Sequence, residues 1–405
     1  MRFLPVIIGL ILHVHVTSVA LSQEGLVESD FFASEVLDVV SISGPSLVCR
    51  TTDGWYLGDM STKRWSRVVS GGYGNGNLGW AFAGGDKDQM YFLREDQDEV
   101  SLFQIRGRRG EAQQLQEDVA GSYFSSSQIG LIWDERLGLS FTIDATRNWV
   151  DVDPIFSRAD RLVTAFPVGE DHFITLGNRG AVAWNEITKV GEELMALPLW
   201  EVALPEIPRD FVGSTSECIW IRGSELFGLS HEDGSVQYTH ELEADFISVS
   251  AKRDCIIVTY STSIEVFLVR DGEMKWHASH NLSFHALGSD LLEMPNGDIF
   301  LCIASNQKRI ALWGPVGGDG PVEITWLDYV FDGEAAAEMI AHQQQQENID
   351  LLSAQMDVWR SLVQQVPRDV HLRISQRATE IEAESNSDRI DWMISELREY
   401  IAENP

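Results

Sequence analysis

The sequence predicts an all-β fold, a seven-bladed β-propeller, with an α-helical hairpin or appendix at its C-terminus. Three observations predict it. A short apolar strand pattern recurs seven times at a nearly even spacing. Further short alternating runs follow each recurrence, separated by polar turns. After Gly333 the spacing turns helical, and no Gly or Pro interrupts it until Pro367.

The chain opens with a targeting segment. Arg2 supplies a positive start, Phe3 to Val16 is a short apolar run, and Ala20-Leu21-Ser22 offers small residues for cleavage before Gln23. That arrangement reads as a secretory signal over residues 1–22 rather than as structure. No Cys follows the apolar run, so a lipid-modified signal is not expected. No other stretch approaches the length of a membrane-spanning helix. The mature chain is expected in the periplasm or outside the cell, with no stable membrane insertion after cleavage.

The next unit, 23–332, carries the repeat. Its strongest strands are centred on Val48, Tyr91, Ile132, Ile174, Trp220, Ile257 and Phe300, with steps of 43, 41, 42, 46, 37 and 43 residues. Each is preceded by a weaker strand, such as "VLDVVSI", and followed by a second run, such as "GWYLGD" or "SIEVFLV". A third run then follows, such as "WSRVV" or "EITWLD". Four short antiparallel strands per unit is the pattern of a propeller blade. A pair of β-sandwiches would not produce so even a period. Val27 to Ser34 is expected to add an edge strand that latches the ring, since an open first blade would leave an edge exposed.

The turns repeat as well. "DMSTKRW" at Asp59 and "DATRNW" at Asp144 place Asp and Thr in the turn, whose side chains bond nearby backbone groups, and a Trp at the start of the outer strand. That Trp is expected to pack against the next blade. In "HEDGSVQY" and "RDGEMKW" a Gly takes the turn. This strand, Asp-or-Gly turn and Trp-or-Tyr resembles the repeat of quinoprotein-like (PQQ-like) propellers across residues 36–330. The resemblance implies architecture, since the motif is structural. The quinone-dependent enzymes of that group carry adjacent cysteines beneath the cofactor. Here Cys49, Cys218, Cys255 and Cys302 lie far apart, so the resemblance is to the non-catalytic type and no cofactor is expected. Export permits disulfides, yet all four cysteines sit in apolar strand runs, where buried free thiols are expected.

Residues 333–405 read as helix. Ile349, Leu352, Met356, Trp359, Val363 and Val366 alternate three and four apart and form one apolar seam. Pro367 suits a turn into a second helix, and Ile390, Met393, Leu397 and Ile401 form a final amphipathic series. The seam spans under three heptads, short for a free-standing coiled coil. It either folds back on the chain or serves as a partner-binding or self-association arm. These six residues are the candidate partner-binding positions.

Other motifs point to no chemistry. In "GYGNGNLGW" a strand follows the glycines, whereas phosphate cradling needs a helix N-terminus there. His277 and His280 would face opposite sides of a strand, so His277, His280 and His285 are not expected to share a metal. The acidic turns "GGDKDQ" and "REDQDE" lack the spacing of a calcium loop. Neither a Gly-x-Ser-x-Gly elbow nor a His-Glu-x-x-His pair occurs. No catalytic or metal-ligating residues are nominated.

The formal net charge of −32 disfavours nucleic acid and anionic lipid as partners. The expected function is therefore an exported, non-catalytic binding or scaffold module for a protein partner. The alternative is a glycan-active hydrolase with paired carboxylates at the channel mouth, although 62 acidic residues leave that pair unidentified. N-terminal sequencing of the native protein should return Gln23 or a close neighbour. Recovery of Met1 would remove the export reading.

Overall fold

The computed structural model describes residues 26–403, except 43, 71–78, 97–98, 108–110, 126–128, 135–137, 144–148, 154, 158–159, 191–192, 244–245, 271–272, 317–322 and 379–385. The expected signal segment, the glycine-rich "GYGNGN", and the turn residues of "DATRNW" lie outside the described residues.

Strands dominate the chain and helices close it. Among the described residues, the strands form seven consecutive antiparallel meanders of four. They cover 36–70, 79–116, 121–152, 162–203, 210–241, 246–281 and 286–326. In most meanders the second strand is almost wholly buried. Leu47, Val48 and Cys49, or Ile256, Ile257 and Val258, are almost wholly removed from water. A strand buried on both faces reads as an unbroken apolar run, which is why these seven strands were the legible ones.

The cores lie between meanders. One joins the first and second through Val48, Trp55, Trp80 and Phe92. Others join each following pair in chain order. The last joins the seventh back to the first, bringing Cys302, Ala304 and Ile310 against Leu47, Cys49 and Tyr56. Each sheet face is thus covered by its neighbour in sequence. The four thiols are free and buried among these cores. Burial pushes the Cys218 thiol up to about 11 and the Cys255 thiol up to about 12.

The inner, first strands converge, and their register shows how. Six of them carry a bulge, at Val36/Asp38, Phe82/Gly84, Leu162/Thr164, Phe211/Gly213, Phe246/Ser248 and Ala286/Gly288. A bulge bends and twists a strand. The residue after it is small or polar each time. At Gly84 and Gly213 glycine is required: φ is +104° and +148°, and a Cβ would overlap the carbonyl oxygens of Phe124 and Ala251. Those close approaches let inner strands of adjacent meanders pair in parallel, Gly84 with Phe124 and Gly213 with Ala251.

The expected edge strand forms. Val27–Ser29 pairs antiparallel with Tyr329–Phe331, which runs parallel to Arg64–Ser70. The first meander is already complete, so this strap extends it to six strands instead of filling a gap. The Trp expected to face the next blade packs on the strap. Trp65 lies against Phe32 and Tyr329, with ring centroids 5.3 and 5.5 Å apart. It lies across Gly58, the residue opposite it in register, where a Cβ would clash with the indole. Tyr238 lies across Gly228 in the same way. Trp276 has Phe267 opposite instead, and the indole stands 61% exposed. In the first turn, Asp59 accepts hydrogen bonds from the backbone N–H of Ser61 and Thr62, as the turn chemistry predicts.

Three helices follow: α1 Gly333–Val363, α2 Arg368–Ala378 and α3 Asn386–Glu403. The first turns of α1 belong to the core of the first meander. Ala335, Ala336 and Met339 are buried with Phe32, Tyr56 and Trp65. Glu338 forms an ion pair with Arg67 and accepts a hydrogen bond from the Tyr56 hydroxyl at 2.9 Å. Arg67 is only 9% exposed and its other acidic partner, Asp53, lies 4.0 Å away, so removing Glu338 would leave a buried charge with its weaker partner alone.

The first turns of α1 thus share the core of the β-rich unit. A fragment of residues 23–345 should melt close to the mature chain. A fragment of residues 23–332 should melt several degrees lower, as followed by circular dichroism. Equal melting of the two fragments would show that the first turns of α1 contribute nothing to the core.

Candidate functional site

Inner strands turn one face to the centre, and polar residues gather there. Asp38, Tyr123, Asp210 and Asp290 stand on the inner strands of the first, third, fifth and seventh meanders. All four are half-buried. Two of the carboxylates face an arginine across the ladder, Asp38 opposite Arg50 and Asp210 opposite Arg222. Arg222 donates to Asp210 at 3.2 Å and stacks over the Phe246 ring, 5.4 Å from its centroid.

Asp290 has the fullest hydrogen-bond set. One carboxylate oxygen accepts from both the backbone N–H and the hydroxyl of Ser41, each at 2.8 Å. The other accepts from the Leu291 N–H at 2.8 Å and the Ser250 hydroxyl at 3.3 Å. Ser41 belongs to the first meander and Ser250 to the sixth. Asp290 therefore joins three meanders through one side chain. Ser289 extends the stitch, lying 2.7 Å from the hydroxyls of both Ser248 and Thr259.

Burial raises the Asp290 carboxyl above the usual carboxylate range, against the pull of the Ser41 and Leu291 hydrogen bonds and of Lys252. Burial also raises Asp38 to about 6, opposed by Arg50 and the Val39 N–H and reinforced by Asp290. Burial raises Asp210, with Arg222 pulling the other way. Tyr123 is pushed up to about 12 by burial and then by the charges of Asp290 and Asp210. Gly288 makes room for Asp38, since a Cβ there would overlap its carboxylate.

The chemistry follows from these partners. Asp290 is occupied on both oxygens by donors from the protein itself, which is the arrangement of a structural clamp. Burial pushes Asp38 up to about 6, so its carboxyl holds a proton closer to neutrality than an ordinary carboxyl does. None of these four residues was nominated from sequence. The only available signal was a polar residue in a weakly apolar inner strand.

The tail divides the predicted seam. Trp359, Val363 and Val366 pack with Val370 and Ile374 of α2 and Leu397 of α3. Gln355, buried on α1, bonds the Ser387 hydroxyl of α3 at 2.8 Å and fixes the register of the two helices. Leu352 and Met356 are half-buried, and Ile349 is 49% exposed. The six residues therefore do not form one continuous surface. A second apolar stripe lies elsewhere on α1. Ile340, Leu351 and Val358 fall within about 20° of one another at 100° per residue, and all three are exposed. Three exposed acids accompany the stripe: Glu347 between Ile340 and Leu351, and Asp350 and Asp357 along one side.

The three histidines have different surroundings. His280 packs on Trp313, with centroids 5.0 Å apart, while His285 lies 3.0 Å from the Ser261 hydroxyl. His277 is exposed. Among the described residues, no three His, Cys, Asp or Glu side chains come together as a metal site. No helix among the described residues is long and apolar enough to cross a membrane.

The raised carboxyl of Asp38 has a consequence for stability. A proton is held more tightly in the folded chain than in the unfolded one. Its contribution is therefore full below about pH 4 and is lost as pH rises towards 6. A shift of about two units, roughly halved because water reaches the group, corresponds to about 1–2 kcal/mol. Asp38→Asn should thus gain about that much on the native protein between pH 4 and 7, read from melting curves. Parallel pH profiles would contradict this assignment.

The chain matches no protein-family model and no curated protein. Among solved structures it is similar to the WD40 β-propeller domain of Doa1, at 14% identity and TM-score 0.45, over 71% of this chain and 94% of that one. It is also similar to Sqt1 of Saccharomyces cerevisiae, at 12% identity and TM-score 0.45, over 76% and 98%. Hsv2 of Kluyveromyces lactis is similar at 9% identity and TM-score 0.47, over 72% and 98%.

Proposed function

We propose that this chain is an exported seven-bladed β-propeller that binds a protein partner through its C-terminal helices. The ring reading is supported by seven meanders with a core at every consecutive junction, the seventh-to-first junction included. Export is supported by the Arg2 start, the apolar run and the cleavage site before Gln23. The proposed units are residues 1–22, 23–332 and 333–405, with the first turns of α1 docked on the second unit. The PQQ-like repeat type stays part of this reading, on the strength of the turn and Trp pattern.

The observation that carries the binding role is the exposed stripe of α1. Leu351 is 51% exposed and Val358 38%, on a helix of about 46 Å. An apolar strip of this kind accompanied by acids suits a partner helix with basic residues around an apolar face. The covered half of the seam holds the tail together, and the uncovered face is free to bind. Leu351→Glu with Val358→Glu should weaken capture of the partner isolated from the native source by tenfold or more, with melting unchanged. Undiminished affinity in this variant would place the binding surface elsewhere.

A second reading, a glycan-active hydrolase, draws on Asp38 at the centre, the carboxyl with a pKa of about 6. Its expected sign is glycan cleavage by the purified chain that falls by about a hundredfold in Asp38→Asn. Ser41 and Ser250 engage Asp290, and Arg222 engages Asp210, so both other inner-strand carboxylates named above are already held by protein donors.

A further inference from the structure

Asn281-Leu282-Ser283 is the one Asn-x-Ser/Thr triplet in the 405 residues whose middle residue is not proline. Asn281 ends the outer strand Glu273–Asn281 of the sixth meander. The strand alternation continues through the triplet. Leu282 is 8% exposed and packs in the core between the sixth and seventh meanders, as does Phe284. Asn281 and Ser283 point outward and are exposed. The Leu282 N–H bonds the Thr262 carbonyl at 2.8 Å, so the triplet is anchored by its middle residue.

The two groups that such a modification requires thus both face solvent, and the group that must stay inside is the one it leaves untouched. The outer strand also presents Trp276, the most exposed large apolar side chain among the described residues. Trp276 pairs with Phe267 and Asn281 with Ser263 along one ladder, about 16 Å apart at the usual rise per residue. Trp276 stands mostly in solvent, and Asn281 is itself exposed at the end of the same strand.

We propose that Asn281 is an N-glycan acceptor, modified as the chain enters a eukaryotic-type secretory pathway. This inference rests on the export reading. In the transfer, Asn281 Nδ2 forms a bond to C1 of an oligosaccharide carried on a lipid pyrophosphate. The C1–O bond to that carrier breaks, the lipid pyrophosphate leaves, and Nδ2 loses one proton. The Ser283 hydroxyl is the recognition group of the triplet.

The experiment uses the full chain in a eukaryotic secretory cell, in two forms. One keeps residues 1–22, and the other replaces them with a proven secretory signal. Intact mass is measured before and after treatment with an amidase that removes N-glycans and converts the acceptor Asn to Asp. Chain retained in the secretory membranes is measured as well as chain released to the medium. Both forms should lose the mass of one glycan, with Asn281→Asp as the only change left. Asn281→Gln and Ser283→Ala should abolish the glycan, and Ser283→Thr should keep it. If the foreign-signal form reaches the secretory membranes and carries an unmodified Asn281, the acceptor assignment is wrong. If only the native-signal form stays unmodified, the acceptor stands and the export reading falls.

Discussion

One carboxylate ties three of the meanders together. Asp290 accepts hydrogen bonds from Ser41, 249 residues away, and from Ser250, 40 residues away. Hydrogen bonds to a charged group contribute about 1.5–3 kcal/mol each. They also fix the relative height of three inner strands, because each donor sits at a set position on its own strand. The inner bulges and the glycines beside them give these strands the close approach that this contact needs. Burial of the carboxylate opposes the gain and raises its pKa.

The second fastening is at the outer rim. Chain from before the first meander and from after the seventh meets on the first meander, as Val27–Ser29 and Tyr329–Phe331. Phe32 packs edge-on against Tyr56, Trp65 and Phe331 beneath this strap. The start of α1 closes over the same residues, and the buried Arg67 is neutralised by Glu338. The inner clamp is polar and fixes register, whereas the outer one is aromatic and buries area. α1 then leaves the sheet and reaches a small separate core with α2 and α3. One helix thus serves two environments, and the length between them carries the exposed stripe.

Much of the fold was legible in the sequence because its signals are local. A second strand buried on both faces must be apolar throughout, so Leu47-Val48-Cys49 and Cys255-Ile256-Ile257 announce themselves. Asp59 bonds within its own turn, so its role needs no tertiary information. The candidate site was not legible. Asp38 and Asp290 are two among 62 acidic residues, and the inner strands that carry them have one polar face. The fate of the outer aromatics was equally hidden. Trp65 is covered because Gly58 lies opposite it, and Trp276 is uncovered because Phe267 does.

The sequence by itself determined the period, the alternation within each unit, the turn chemistry and the helical tail. Each of these follows from the residues within one strand, one turn or one helix. Tertiary structure alone decided which carboxylate joins three meanders, which half of the α1 seam is covered, and which Trp meets solvent. Those outcomes depend on cross-strand register and on which sheet faces meet. Ser41 and Asp290 become neighbours only when the first and seventh meanders are brought together, and no periodicity in the chain encodes that pairing.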